Sequence, residues 1–167
     1  MRLRPARPED RAWALALAQL PEVAASVMVG ADAALDEALA RIAAGATDEA
    51  ALVIEADDRR VGLVRWRTTN RRSRIAVVTG LMVDPAARGR GIATAALRAL
   101  AGTLFIDHGF HRVEAEVYGF NDAALRAFDR AGFARDGRRR KAYDRHGAWQ
   151  DGVLYGRLAD DPDPLVS

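Results

Sequence analysis

The chain contains no cysteine. Disulfide scaffolds, thiolate zinc sites and cysteine nucleophiles are therefore excluded. Lysine is nearly absent: Lys141 stands alone against 24 arginines. Alanine is also very frequent, so the bias reads first as that of a GC-rich genome, and an arginine surface for anions has to be argued position by position. The three histidines, His108, His111 and His146, are too few and too scattered for a metal cluster, and no metal is expected. The start of the chain, MRLRPARPED, lacks the apolar core of a secretory signal. No apolar run approaches the ~18 residues of a membrane span. Expected is a soluble, cytoplasmic protein with no membrane partner.

Half of the 167 residues are hydrophobic and 29% are charged, which suits a folded domain with a sizeable core. Lys plus Arg number 25 against 23 Asp plus Glu, a formal net charge of +2. That balance argues against a general nucleic-acid coat, and no nucleic-acid partner is expected. The expected organisation is one domain over residues 1–160, followed by a polar, proline-broken tail over 161–167 that frays.

The patterning predicts a strand over 2–6 and a helix from Pro8 to about Leu20. A second helix fits Ala33–Ala43, with Leu35, Leu39 and Ile42 at helical spacing. A hairpin follows, with strands Ala51–Ala56 and Val61–Arg67 and a turn over Asp57–Arg60. Ile75–Val83 is a long apolar strand interrupted by Gly80, a glycine that marks a bulge or a close backbone approach. A helix spans Ile92 to Asp107, with Leu97, Leu100 and Leu104 on one stripe. Val113–Tyr118 alternates as a strand. Asn121 caps a helix over Asp122–Ala131, and Gly132 ends it. Two strands, Phe133–Tyr143 and Asp151–Leu158, are joined around Gly147. Strand runs mixed with two strand-to-helix crossovers predict an α/β protein of the α+β kind, a mixed sheet with helices on both faces.

The most informative stretch is Leu81–Ala96, LMVDPAARGRGIATAA. A strand ends, an arginine- and glycine-rich loop follows, and a helix begins. Such a junction offers free backbone N–H groups and a positive dipole end to an anion. Gly89 and Gly91 let the backbone approach a phosphate, and Arg88 and Arg90 can add charge-assisted bonds. The alternative is a basic turn whose glycines serve only for bending. A Walker loop needs Gly-Lys-Ser/Thr, which is absent. A dinucleotide fingerprint fails too, since Gly89-Arg90-Gly91-Ile92-Ala93-Thr94 lacks its last small residue.

Arg88-Gly89-Arg90-Gly91-Ile92-Ala93 does match Arg/Gln-x-x-Gly-x-Gly/Ala, and so resembles the acetyl-CoA pyrophosphate loop of the GNAT acetyltransferase superfamily. Asn121-Asp122-Ala123-Ala124, followed by Phe128 and Gly132-Phe133, resembles that family's second signature, Asn-x-x-Ala-x-x-x-Tyr-x-x-x-Gly-Phe. The resemblance covers roughly Leu3–Leu158. It implies a GNAT fold: a mixed, mostly antiparallel central sheet of six to seven strands, splayed at a V, with helices on both faces. It further implies acetyl-CoA as co-substrate. Leu81, Met82 and Val83 would then pair with the pantetheine arm, and backbone N–H groups from Arg88, Gly89, Arg90, Gly91, Ile92, Ala93 and Thr94 would hold the pyrophosphate. Asn121, Ala124, Phe128 and Arg130 would complete the cofactor site, with Asn121 also readable as a plain helix cap and Arg130 as a solvated helix arginine.

Acetyl transfer to an amine needs a neutral amine, an oxyanion donor and a proton for the leaving thiolate. The Val83 N–H suits the second demand. Glu116 stands five residues before Asn121, where the resemblance places a water-linked general base; the other reading is a solvent-facing glutamate sharing a strand face with Glu114. Phe128 departs from the family, having the ring of the usual tyrosine without its hydroxyl. Tyr118 and Tyr143 are then the candidates for the acid, with core or rim packing as their other reading. The closing stretch GFARDGRRRKAYDRHGAWQDGVLYGRL resembles the branch acetylating ribosomal-protein N-termini and polyamines, with Asp136 and Asp151 at its acidic positions. Arg135–Arg145 holds six basic and two acidic residues, which weakens the polyamine reading. Expected is acetyl transfer to a primary amine, on a protein N-terminus or a small molecule. The rival is a catalytically weak or inactive acyl-CoA-binding regulatory module, which Phe128 supports. An RNA-binding role for Arg138–Lys141 is a third reading. Homodimerisation is frequent in the family and is not shown by the sequence.

Overall fold

The structure is a computed structural model and describes residues 1–27 and 31–162. Seven strands form one sheet: β1 Arg2–Pro5, β2 Glu49–Ala56, β3 Arg59–Asn70, β4 Ile75–Val83, β5 Arg112–Tyr118, β6 Ala134–Arg145 and β7 Ala148–Leu158. They lie in the order β1-β2-β3-β4-β5-β7-β6. Every neighbouring pair is antiparallel except β4–β5, which is parallel. That one parallel pair needs a crossover, supplied by α4, Ile92–Ile106. The tail residues 163–167 lie outside the described residues.

Helices cover both faces. Leu97, Leu100 and Leu104 of α4 pack with Ile54, Val64, Trp66, Ala76 and Val113 from one side of the strands. On the other side, α1 (Arg11–Gln19) and α3 (Ala31–Ala43) bring Ala14, Leu17, Leu35 and Leu39 against Val53, Leu63 and Met82. Strand alternation explains the division, since Leu63 and Val64 are adjacent and point to opposite cores. α5, Asp122–Arg130, packs its Leu125, Ala127 and Phe128 into the α4-side core.

Two expectations need correction. A short helix, α2 (Pro21–Ala24), follows α1 and was not anticipated. Pro21 cannot continue the preceding helix, but its fixed φ suits the first position of a new one. The hairpin turn is only Asp57–Asp58, at φ 51° and 58°, with Arg59 and Arg60 already paired in β3. Two consecutive left-handed residues are the twist-compatible hairpin turn, and aspartate tolerates them.

The N-terminal end is tied down by a buried carboxylate. Asp10 is 1% exposed. It accepts from Arg4 Nη1 and Nη2 at 2.6 and 2.9 Å, from the Arg7 N–H at 2.8 Å and from Arg60 Nη1 at 3.3 Å. The Arg4 bond, against the opposing effect of burial, holds the Asp10 carboxyl well below the usual carboxylate range.

Candidate active site

β4 begins as a regular strand and then leaves its parallel neighbour. It pairs with β5 only from Ile75↔Arg112 to Val78↔Ala115. Beyond that point β5 stays with β7 through Tyr118↔Gly152, while β4 stays with β3 through Gly62↔Val83. A V opens between them. The cause lies in the register: Trp66 faces Val78 and Arg65 faces Gly80, so Thr79 is an extra residue on β4. Such a bulge bends the strand and reverses its alternation. Gly80 is therefore on the α3 side, where an added Cβ would stand 3.3 Å from Arg65 Nε. The glycine fits both the bulge and the close approach that its place in the strand suggests.

Backbone groups on the open side of β4 face the V. The Asp84 N–H donates to Val61 O at 2.8 Å, which makes Gly62–Val83 a non-hydrogen-bonded pair. Val83 thus turns its N–H and C=O away from β3, and by alternation so does Leu81. A cavity of about 410 Å3 occupies the V, lined among others by Val78–Met82, Ala115–Tyr118 and Phe128. A second, of about 360 Å3, runs from there past Val83 to the loop before α4. Ser26, Leu81, Met82, Asn121 and Ala124 line both, so the two form one cleft.

At its far end the cleft meets a turn rich in free backbone N–H groups. Gly89 and Gly91 have φ of 78° and 73°, left-handed values that favour glycine. Gly91 is the N-cap of α4, and the first bond back to it is Ala95 N–H to Gly91 O at 3.0 Å. The N–H groups of Gly89 through Thr94 have no acceptor among the described residues. Gly89, Gly91, Ile92, Ala93 and Thr94 line the cleft, as does Arg130. So does Arg126, which the sequence did not single out although it lies on the same helix one turn earlier.

The two loop arginines are both engaged within the protein. Arg88 lines the cleft, but its Nε donates to Val83 O at 3.3 Å and its Nη2 to Glu22 O at 3.2 Å. It braces the loop. Arg90 pairs with Asp57 at 2.5 Å and is not among the lining residues. What this end of the cleft offers is therefore mostly backbone N–H groups. Asn121 caps α5, accepting from the Ala124 N–H at 3.1 Å, and its Nδ2 donates to Ser26 O at 3.4 Å.

Glu114, Glu116 and Tyr118 share the α3-side face of β5, opposite buried Val113, Ala115 and Val117. Glu116 reaches over Gly152, where an added Cβ would strike its carboxylate. Arg139 Nη1 donates to both carboxylate oxygens, at 3.1 and 2.9 Å, and to the Tyr143 hydroxyl at 3.1 Å. Burial, reinforced by a hydrogen bond to Glu116, pushes the Tyr143 hydroxyl up to about 12, so it stays protonated. Tyr143 itself does not line the cleft, whereas Glu116 and Tyr118 do. Tyr118 is 5% exposed, and its hydroxyl accepts from Arg145 Nη1 at 3.2 Å. Its own proton has no acceptor among the described residues.

Phe128 is buried at the cleft wall, with Phe133 edge-on and Tyr155 stacked, each ring centroid 5.1 Å away. Tyr155 donates to Asp129 Oδ1 at 2.9 Å, and burial raises it to about 12. It positions α5 and has no access to the cleft. Among the described residues no group of metal-ligating side chains is assembled, and no helix is long and apolar enough to cross a membrane.

Comparison with known proteins agrees with this geometry. A family model described as "Acetyltransferase (GNAT) domain" matches residues 1–134. A probable N-acetyltransferase, YjcK of Bacillus subtilis, is 32% identical over 105 residues, 63% of this chain and 58% of that protein. The chain thus spans less than two thirds of the curated relatives it matches. Among solved structures, Mycobacterium smegmatis RimJ in complex with CoA-disulfide is 26% identical, with a TM-score of 0.81 over 97% of this chain and 84% of that one. Vibrio cholerae spermidine N-acetyltransferase in complex with CoA and spermine has a TM-score of 0.82 at 19% identity, covering 96% of each chain. The splayed sheet, the glycine-rich loop of free N–H groups before α4 and the matching family model lead to one conclusion: the chain belongs to the GNAT acetyltransferase family.

Proposed function

We propose that the chain transfers an acetyl group from acetyl-CoA to a primary amine, of a protein N-terminus or a small molecule, in a ternary complex. One observation carries the reading: a single cleft joins the uncommitted N–H groups of Gly89–Thr94 to a V that holds Glu116 and Tyr118. The loop fits a diphosphate, and the apolar wall formed by Leu81, Ala124 and Phe128 fits a pantetheine arm. When bound, acetyl-CoA supplies an activated thioester carbonyl. Leu81 and Val83 offer it the backbone groups that face the V, and the Val83 N–H is the oxyanion donor. Glu116 takes the proton from the amine, directly or through a water, while Arg139 and Tyr143 hold its carboxylate in place. Tyr118 gives a proton to the departing sulfur, because Arg145 occupies its oxygen and leaves its hydrogen uncommitted. The C–N bond forms as the C–S bond breaks, and the two protein groups exchange one proton each. A cytoplasmic setting, where acetyl-CoA is present, suits this chemistry.

The test is acetyl-CoA-dependent thiol release across a panel of primary amines, with calorimetric binding of acetyl-CoA alongside. Release with at least one amine is expected. Tight binding with no release for any amine would instead favour a regulatory acyl-CoA-binding module.

A further inference from the structure

Arg65 is a cation in the core of the protein. It is 9% exposed, and burial pulls its guanidinium below its ordinary value. It sits on β3 opposite Gly80, on the same sheet face as Glu116, and lines the cavity in the V. Among the described residues its one side-chain hydrogen bond runs from Nη1 to Ala34 O at 3.0 Å. No carboxylate lies within ion-pair distance of it among the described residues. A guanidinium carries five N–H donors, and burying one without an anion is costly.

The other charges around the cavity are largely neutralised within the protein. Glu49 Oε1 is 2.9 Å from Arg41 Nε, an ion pair with poor hydrogen-bond angles. Glu116 is held by Arg139. Glu37 and Arg67 are both exposed at the rim. Glu49 attracts Arg65 from a distance but is bonded to Arg41, so among the described residues no anion touches the Arg65 guanidinium. Gly80 keeps the space above its Nε and Nη2 clear, because the bulge turns this side-chain-free residue toward α3.

We propose that Arg65 binds a carboxylate on the acceptor, so that the acceptor is a carboxylate-bearing primary amine and not a polyamine. This rests on the acetyl-transfer reading above. The amine would lie on the Glu116 side of the V and the carboxylate on the β3 side, forked by Nε and Nη2 of Arg65. A polycation in the same place would meet Arg65 with like charge.

The experiment compares matched acceptors. Glycine, β-alanine, 4-aminobutyrate and 6-aminohexanoate are each assayed beside their carboxamides. Short peptides with aspartate or asparagine at the second residue form another arm, and spermidine a third. Thiol release gives kcat/KM, and calorimetry with CoA-saturated protein gives acceptor Kd. Wild type should favour at least one carboxylate over its amide by roughly tenfold or more. Which arm shows the preference separates a free amino acid from an acidic peptide. Arg65→Gln should bring the ratio toward one in both readouts, and Arg65→Lys should restore part of it. Acetyl-CoA binding checks that the variants are folded, and the wild-type comparison stands without them. Turnover with no carboxylate preference, a preference for spermidine, or a preference that survives Arg65→Gln overturns this inference alone. Absence of release with every amine overturns the transfer reading together with it.

Discussion

Gly91 offers a way to separate backbone strain from ligand electrostatics. Its φ of 73° is unfavourable for any residue with a side chain. A Cβ added there meets nothing within 4 Å, so space is not the obstacle. Gly91→Ala should therefore lose only the left-handed penalty, about 1–2 kcal/mol. In a chain of this size that lowers Tm by roughly 2–8 °C. Gly91→Glu carries the same penalty, and its acid at the head of α4 favours the helix dipole, so its Tm should be no lower than that of the alanine variant. Binding should tell them apart. A carboxylate on that side chain would stand roughly 5 Å from a bound diphosphate, and at an effective dielectric of about 20 one like-charge pair costs about 3 kcal/mol. That is about two decades in Kd at low salt, shrinking as ionic strength rises. Calorimetric titration with acetyl-CoA, at two salt concentrations beside thermal melts, reads both quantities. Equal affinity in the two variants would refute the diphosphate assignment, whatever their stabilities.

Other perturbations address the remaining parts. Glu116→Gln should lower kcat by about two to four decades while acetyl-CoA Kd holds, as read by initial rates and calorimetry; a wild-type kcat removes Glu116 as the base. Tyr118→Phe should reduce kcat far more than Tyr143→Phe, because only Tyr118 reaches the cleft; the opposite order would reassign the acid. Asp10→Asn removes one of two carboxylates on Arg4, with Glu55 still 2.7 Å from its Nε, and should cost about 1.5–3 kcal/mol in urea unfolding. Since folding lowers the Asp10 pKa, its contribution is complete above the unfolded carboxylate value, ~3.9, and fades as pH falls below it. The wild-type advantage over Asp10→Asn should shrink correspondingly in acid.

Much of this was readable from residue order because the relevant signals are local. The apolar run Ile75–Val83 occupies β4 with the bounds its composition suggests, and Asn121 caps α5 as its side chain favours. What escaped depends on distant partners. Arg65 sits in VGLVRWRT, where alternation alone suggests a solvent-facing arginine; its burial comes from α3, some thirty residues earlier in the chain. Arg90 reads as a phosphate-ligand candidate in the sequence, which does not show that the β2–β3 turn brings Asp57 to it. Tyr118 and Tyr143 stand level as acid candidates in the sequence, which cannot show that of the two Tyr118 lines the cleft.

The central claim is that backbone N–H groups at the head of α4 hold the diphosphate of coenzyme A. A crystal structure of the complex with CoA measures it most directly. Phosphate oxygens should lie within about 2.7–3.2 Å of several N–H groups between Gly89 and Thr94. Diphosphate density anywhere else on the protein, with that loop left bare, would contradict it.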